Sequence, residues 1–492
     1  VKQGQEKAKV FSSFFRCPLG GFFIHLILFM KTFSQALAVF VLAISAVCSA
    51  DRPNIVMIMA DDLGYECIGA NGSEMYSTPH LDELAVGGMR FLHAHSQPIC
   101  TPSRVQIMTG KYNNRNYVKF GILDPKETTF GNALQDAGYQ TYIAGKWQLE
   151  GGFEGPVKFG FEKYCLWQLT RRPSRYPNPG FEINGEEKDF KDGKFGPDVV
   201  TDHINGFLES RDESKPFFVY YPMILPHWPF VPTPDSEDWD PTLWRDKESE
   251  PGGFRTQKYW ADDVAYTDKM VGKVVSKLDE LGLRENTLVI FTGDNGTATQ
   301  IKSTFQGKPY PGGKGSPKDS GTHVPFIASW PGTIEAGSES KELVDFSDLF
   351  PTFVEMAGLE SSKIEAYDLD GVSLLPIFTG EGKRDKPYIY CWYHRDGERD
   401  KASEHVRDQR YKLYSDGRFY DIQSDFEEKN NLAKLAEGKA VGRLEKLQAA
   451  MKKHRAATLA ADPIQAKRRE GMTRKALEKK KKEAPEKKKK AE

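Results

Sequence analysis

Cysteine is scarce in this 492-residue chain, with six residues: Cys17, Cys48, Cys67, Cys100, Cys165 and Cys391. Their spacing contains no close pair of the kind that holds a metal and is too sparse for a disulfide framework. Net charge is nearly absent too, at −1. That balance joins two unlike parts, because residues 467–492 carry 13 Lys/Arg against five Glu, or +8, which leaves −9 on residues 1–466. A body of that sign has no general attraction for nucleic acid, so no nucleic-acid partner is expected and an anionic substrate must be held by local cations. The Lys/Glu-rich end, residues 461–492, reads as a disordered, solvated tail.

The N-terminal region lacks the uninterrupted run of about 20 apolar residues that spans a bilayer: Lys31, Ser34 and Gln35 break the stretch from 22 to 47. The pattern is instead that of a secretory signal peptide over 30–50, with Met30-Lys31, an apolar segment at 36–47 and the small-residue end Cys48-Ser49-Ala50. Residues 1–29 are then an upstream extension, the mature chain starts near Asp51, and the protein is exported to the periplasm or outside the cell. A single membrane anchor over 22–47 is the second reading. Cleavage would leave Cys67, Cys100, Cys165 and Cys391, whose pairing the spacing leaves open.

What is present is a large body, 39% hydrophobic, able to bury one large core and a smaller second domain. Residues 54–60, Asn-Ile-Val-Met-Ile-Met-Ala, form a continuous apolar run of strand length that ends in Asp61-Asp62. Residues 287–291 repeat the design and lead through Thr292-Gly293 into Asp294-Asn295. Ligand crevices of open α/β sheets lie beyond the carboxyl ends of the strands, so both acidic ends fall where chemistry is usually found. Oxygen ligands of this kind select a hard cation such as Ca²⁺ or Mg²⁺ over zinc. Two more apolar segments end in polar groups: 139–144 in Gly145-Lys146-Trp147-Gln148, and 216–221 in Pro226-His227-Trp228-Pro229. An amphipathic helix over 264–281 precedes the second acidic strand, and Gly312-Gly313-Lys314-Gly315 forms a glycine-rich turn without P-loop order. The fold class is therefore α/β, a large mainly parallel sheet flanked by helices over 51–383. It is followed over 384–460 by a small antiparallel sheet, with strands at 388–392, 411–414 and 418–422 and a helix at 442–454.

Cys100-Thr101-Pro102-Ser103-Arg104 stands apart. Pro102 suits the first helical position, which sets Cys100 beside unpaired N–H groups at a helix N-terminus, and Arg104 adds a donor fork suited to oxyanions.

Taken in order, 54–62, 100–104 with Thr109-Gly110, 145–147, 226–229, 292–295, 312–315, 324–332 and 420–433 form a set. With it the chain resembles the formylglycine-dependent sulfatases, closest to the arylsulfatase branch of the alkaline-phosphatase-like fold. The resemblance implies that a maturation enzyme oxidises Cys100 to formylglycine, whose hydrate is the nucleophile. It implies Asp61, Asp62, Asp294 and Asn295 as calcium ligands, completed by the group at Cys100. Arg104, Lys146 and Lys314 match the cations that hold the hydrate and sulfate oxygens, and His227 the residue that protonates the leaving alcohol. The implied cycle is in-line attack of one hydrate hydroxyl on sulfur, release of the alcohol, and collapse of the hemi-ester to expel sulfate.

One position departs from the family. Its Gly-Lys-Trp-His-Leu-Gly reads here Gly145-Lys146-Trp147-Gln148-Leu149-Glu150, and glutamine cannot serve as a base near neutral pH. A slower or differently based second step follows. His323 stands where the family commonly has arginine and receives no role. A phosphate or phosphonate ester hydrolase and a catalytically silent anion-binding homologue are the alternatives. Tyr164, Trp167, Arg171, Arg172, Arg175 and Trp228 either stack on a substrate ring or pack as a surface loop, so aryl sulfate and sulfated carbohydrate both remain as substrates.

Overall fold

The computed structural model describes residues 52–191, 193–240, 257–459 and 471. The extension, signal peptide and tail expected at 1–29, 30–50 and 461–492 lie outside the described residues, Gly471 apart. Among the described residues no helix is long and apolar enough to cross a membrane.

Eight strands open the chain: β1 Asn54–Ala60, β2 Met89–His95, β3 Gln140–Lys146, β4 Lys163–Trp167, β5 Gly180–Ile183, β6 Glu186–Asp189, β7 Phe217–Pro222 and β8 Thr287–Gly293. They are followed by a two-stranded ribbon of β9 Lys302–Phe305 and β10 Lys308–Pro311, then β11 Phe326–Ser329 and β12 Ser338–Asp345. Ten of these make one sheet in the order β12-β2-β11-β8-β1-β7-β3-β4-β5-β6. Its centre, β8-β1-β7-β3-β4, is parallel. The sheet is mixed outside it, because β11 runs antiparallel to both β8 and β2, and β5 and β6 close the far edge as antiparallel strands. β11 returns from the loop that carries Lys314, at the carboxyl end of β8, and so must run back along it.

Strand β1 shows why its apolar run is unbroken. Ile55, Met57 and Met59 enter one core, and Val56, Ile58 and Ala60 the other, so both faces are covered. One face takes α1 Pro79–Val86, while α2 Cys100–Thr109 packs on the other. Further along, α3 Gly196–Glu209 and α4 Trp260–Glu280 cover the α1 face, and α5 Leu349–Met356 the α2 face. Helix α4 starts four residues before the expected segment; it buries Val264, Val271, Val274 and Leu278 as patterned and adds Trp260, Tyr266 and Met270. On the α2 face, Phe130 meets Phe161, Phe218, Tyr220 and Phe353 edge-on.

The small sheet is antiparallel, in the order β13 Ile389–Tyr393, β14 Ser403–Arg407, β15 Tyr411–Tyr414 and β16 Phe419–Asp421, with α6 Lys439–Leu459 against it. Tyr390, Trp392, Val406 and Leu413 join the same core as α2, so the two sheets share one apolar interior.

The parallel centre brings its five carboxyl ends to one edge. Ala60 lies opposite Gly293 and Met59 opposite Pro222. Beyond the strands the amides of Asp61, Met223 and Asp294 donate to Leu225, Met59 and Ala60, each at 2.8 Å. Gly145, at φ 123°, lets β3 reach the same edge, since a Cβ there would stand 2.0 Å from the Pro222 carbonyl oxygen.

Candidate active site

Helix α2 begins at Cys100 itself, with Ile99 as its N-cap and Pro102 third in the helix, two residues earlier than Pro102 suggested. Proline is tolerated there because the first-turn N–H groups have no helical acceptor. All ten residues of α2 are buried, which fixes the Cys100 thiol against the strand ends. Its Sγ lies 3.5 Å from Asp61 Oδ1 and 3.4 Å from Lys146 Nζ. Burial pushes this thiol up to about 12, so the unmodified cysteine carries its proton at neutral pH.

The cations divide the acids between them. Lys146 Nζ donates to Asp61 at 2.6 and 2.8 Å, and Lys314 Nζ reaches Asp62 at 2.6 Å. Arg104 donates to Asp294 Oδ2 at 3.2 Å and to the Lys146 carbonyl at 2.9 Å. Burial, the largest influence on Asp61, acts to raise it, yet Lys146, His227, Arg104 and Lys314 hold it well below the usual carboxylate range. Asp294 goes the other way: burial, then the charge of Asp61, pushes it up to about 7.

A fourth oxygen side chain completes the group. Asn295 Nδ2 donates to Asp62 Oδ1 at 2.9 Å, while its buried Oδ1 has no hydrogen-bond partner. Three buried carboxylates, one of them charge-frustrated, and an unsatisfied amide oxygen are a donor set suited to a hard divalent cation. The residues present therefore fit calcium.

His227 stands closer to this set than sequence order indicated. Its ligand-type atoms and those of Asp61, Asp62 and Cys100 lie within 4.8 Å of one another. The reason is the return of the chain after β7, where Met223 and Leu225 hydrogen-bond to Met59 and Asp61. His227 Nε2 is 3.9 Å from Asp62 Oδ2. Nδ1 lies 3.0 Å from Arg175 Nη1 and 2.6 Å from the Trp228 carbonyl oxygen; the guanidinium only donates and the carbonyl only accepts, so this nitrogen has a partner in either protonation state.

Arg175 is the residue that sequence reasoning underrated, naming it only within an aromatic and cationic segment. It is buried, stacks 3.9 Å over the Trp167 ring, and brings Nη1 to 4.0 Å from Asp61 Oδ2. Arg172 also lies over Trp167, at 5.7 Å, whereas Arg171 and Tyr164 pack elsewhere. Arg171 pairs with Glu182, Glu187 and Asp189, and Tyr164 donates to the Phe153 carbonyl. Gln148 sits at the site's margin with φ 63°, its Oε1 accepting from Thr101 Oγ1 at 3.3 Å. His323 stacks on Tyr65 at 3.9 Å and on His95 at 4.9 Å, outside the site.

Residues 53–359 match the family model described as Sulfatase. The chain belongs to the sulfatase family. A second model, N-sulphoglucosamine sulphohydrolase, C-terminal, matches residues 317–457. Arylsulfatase A of Bos taurus is 30% identical over 429 residues, covering 77% of this chain and 78% of the relative. N-acetylglucosamine-6-O-sulfatase of Bacteroides thetaiotaomicron is 26% identical over 487 residues, covering 78% and 83%. The crystal structure of Ps i-CgsB in complex with k-i-k-neocarrahexaose is 27% identical, with a TM-score of 0.67 and coverage of 82% and 92%. As a sulfatase this protein is a sulfuric ester hydrolase. All four free cysteines of the described sulfatase body are buried and none is paired.

Proposed function

We propose that this sulfatase is an exported enzyme that removes sulfate from a carbohydrate, using formylglycine made from Cys100 and a calcium ion held by Asp61, Asp62, Asp294, Asn295 and the group at Cys100. The observation that carries the reading is the junction of the Cys100 thiol, Lys146 and Asp61 at the end of a parallel sheet. The hydrate of formylglycine supplies the nucleophilic hydroxyl, and the ion supplies Lewis-acid stabilisation of oxygen charge. Lys146 and Arg104 orient the residue at position 100 and Lys314 binds the sulfate oxygens, concentrating positive charge where negative charge develops. His227 hands a proton from Nε2 to the departing alcohol, because an alkoxide leaves poorly. Nδ1 donates to the Trp228 carbonyl in the protonated ring and accepts from Arg175 in the neutral one, which holds the ring in place through the transfer. One relative named N-acetylglucosamine-6-O-sulfatase and a neighbour solved with a carrahexaose favour a sugar substrate over a simple aryl sulfate. The proposed organisation is a catalytic domain over 51–383 and a C-terminal subdomain over 384–460, with a formylglycine-generating enzyme as partner before folding and the periplasm or cell exterior as destination.

Peptide mass analysis of active enzyme tests this reading. The peptide spanning Cys100 is expected to show the mass of an aldehyde in place of CH₂SH; an alkylatable thiol at Cys100 in fully active enzyme overturns it. Chelation should lower sulfate release by about 10²-fold, with recovery on adding Ca²⁺. Activity indifferent to chelator after exhaustive dialysis would remove the metal from the scheme.

Gln148 makes a further prediction. Histidine enters left-handed backbone more readily than most residues, so Gln148→His is accommodated at φ 63°. Restoring an acid–base group next to Thr101 should raise kcat by about 10–10²-fold with little change in KM. An unchanged kcat would mean that proton transfer at this position does not limit turnover.

A further inference from the structure

The small sheet approaches the loop before Cys100 through β13. Side chains alternate along a strand, so Ile389, Cys391 and Tyr393 share one face. Cys391 Sγ donates to Gln97 Oε1 at 3.1 Å, which turns that face toward the loop leading into Cys100. Tyr393 follows two residues on; burial pushes its phenol up, and the charges it senses include both Arg395 and Cys100. Beyond β13 the chain crosses the 118–121 segment. Gly397, at φ 74°, lies so close to the Val118 carbonyl oxygen that a Cβ would stand 1.9 Å from it.

Arg395 is held at this crossing. Its carbonyl accepts from the Phe120 amide at 3.0 Å and from the Tyr117 hydroxyl at 2.9 Å, and its guanidinium lies 4.7 Å over the Phe120 ring. The next residue, Gly121, donates to Thr101 Oγ1 at 3.1 Å, one residue from Cys100 and in contact with Gln148. The inner cations Arg104, Lys146 and Lys314 each have a carboxylate. Arg395 does not: it is exposed, and among the described residues no carboxylate oxygen lies within 4.0 Å of its guanidinium. Neighbouring Glu398 is taken by Lys401, and Asp396 is the other acid nearby.

We propose that Arg395, stacked on Phe120 at the rim, is an anion subsite that takes a second sulfate or a carboxylate on the sugar next to the one being desulfated. A guanidinium fork matches such groups in two-point fashion. Anchoring the main chain and stacking the plane lessens the side-chain freedom lost on binding, which is what limits an ordinary surface arginine. The substrate class is then a sulfated carbohydrate with anions on adjacent sugars. This rests on the Cys100 site being where sulfate is released.

The test is inhibition of 4-nitrophenyl sulfate hydrolysis by two disaccharides, one carrying a single sulfate and the other a second sulfate on the neighbouring sugar. In the native enzyme the doubly sulfated sugar should bind about tenfold or more tightly. Arg395→Ala should erase that difference while kcat/KM for 4-nitrophenyl sulfate stays within about twofold and the melting temperature is unchanged; Arg395→Lys should keep part of it. Equal inhibition by both sugars in the native enzyme, or a preference that survives Arg395→Ala, overturns the subsite while leaving the sulfatase site standing. No sulfate release from 4-nitrophenyl sulfate or from either disaccharide by calcium-loaded enzyme with formylglycine at Cys100 overturns both.

Discussion

Cys100→Ala is expected to lower sulfate release by about 10⁴-fold or more while leaving the fold intact. The side chain is small and fully buried at the first turn of α2, and replacing it by alanine removes one atom without opening a large void. Its neighbours Asp61 and Lys146 keep each other as partners. Stability by urea unfolding should therefore change by only about 1 kcal/mol. Enzyme made without the maturation partner should resemble this variant, because a thiol pushed up to about 12 by burial remains protonated at neutral pH. Two results would count against the assignment: a Cys100→Ala enzyme with more than about one hundredth of native activity, or unmatured protein as active as matured protein.

Lys146→Met carries the second large effect, and it reaches stability as well as rate. Lys146 Nζ is the nearest cation to Asp61, which is wholly buried. Removing the nearest partner of such a buried charge leaves it under-compensated, at a typical cost of about 3–5 kcal/mol. The same ammonium sits beside the reacting residue, where loss of a single preorganised donor costs about 10²–10³-fold in rate. The double variant Lys146→Met with Asp61→Asn separates the two consequences. It removes both charges of the Lys146–Asp61 pair, so in calcium-free buffer most of the stability should return, while activity stays low. If Lys146→Met unfolds at the native urea midpoint, the ion pair is not the structural element described above.

Legibility in the sequence followed the kind of interaction each residue makes. The strands β1 and β8 and their acidic ends were readable because an apolar run buried on both faces and an adjacent carboxylate are both local patterns. The same holds for Cys100, Arg104 and Lys146, each fixed by a neighbouring turn or helix start. His227 and Arg175 were harder. Their encounter depends on the segment after β7 folding back and on Arg175 reaching over Trp167, neither of which leaves a periodic trace. Strand β14 was missed for a related reason: Ser403–Arg407 is polar in sequence, yet Glu404 and Arg407 are buried because they meet Tyr390 and Asp319. Patterns of apolar residues cannot announce a strand whose burial is balanced by a tyrosine hydrogen bond and an ion pair. The orientation of β11 was hidden as well, since a short apolar run reads alike in either direction.

The buried, unpaired cysteines bear on how the protein can be handled. Cys67, Cys165 and Cys391 are closed off from solvent, so the described body depends on no disulfide and should assemble equally well in a reducing cytosol and in an oxidising medium. Production inside ordinary bacterial cells, alongside the maturation enzyme, is then open without oxidative refolding. A cysteine placed by mutation on the surface of a chain starting at residue 52 would be the single thiol that a maleimide dye or a solid support could reach.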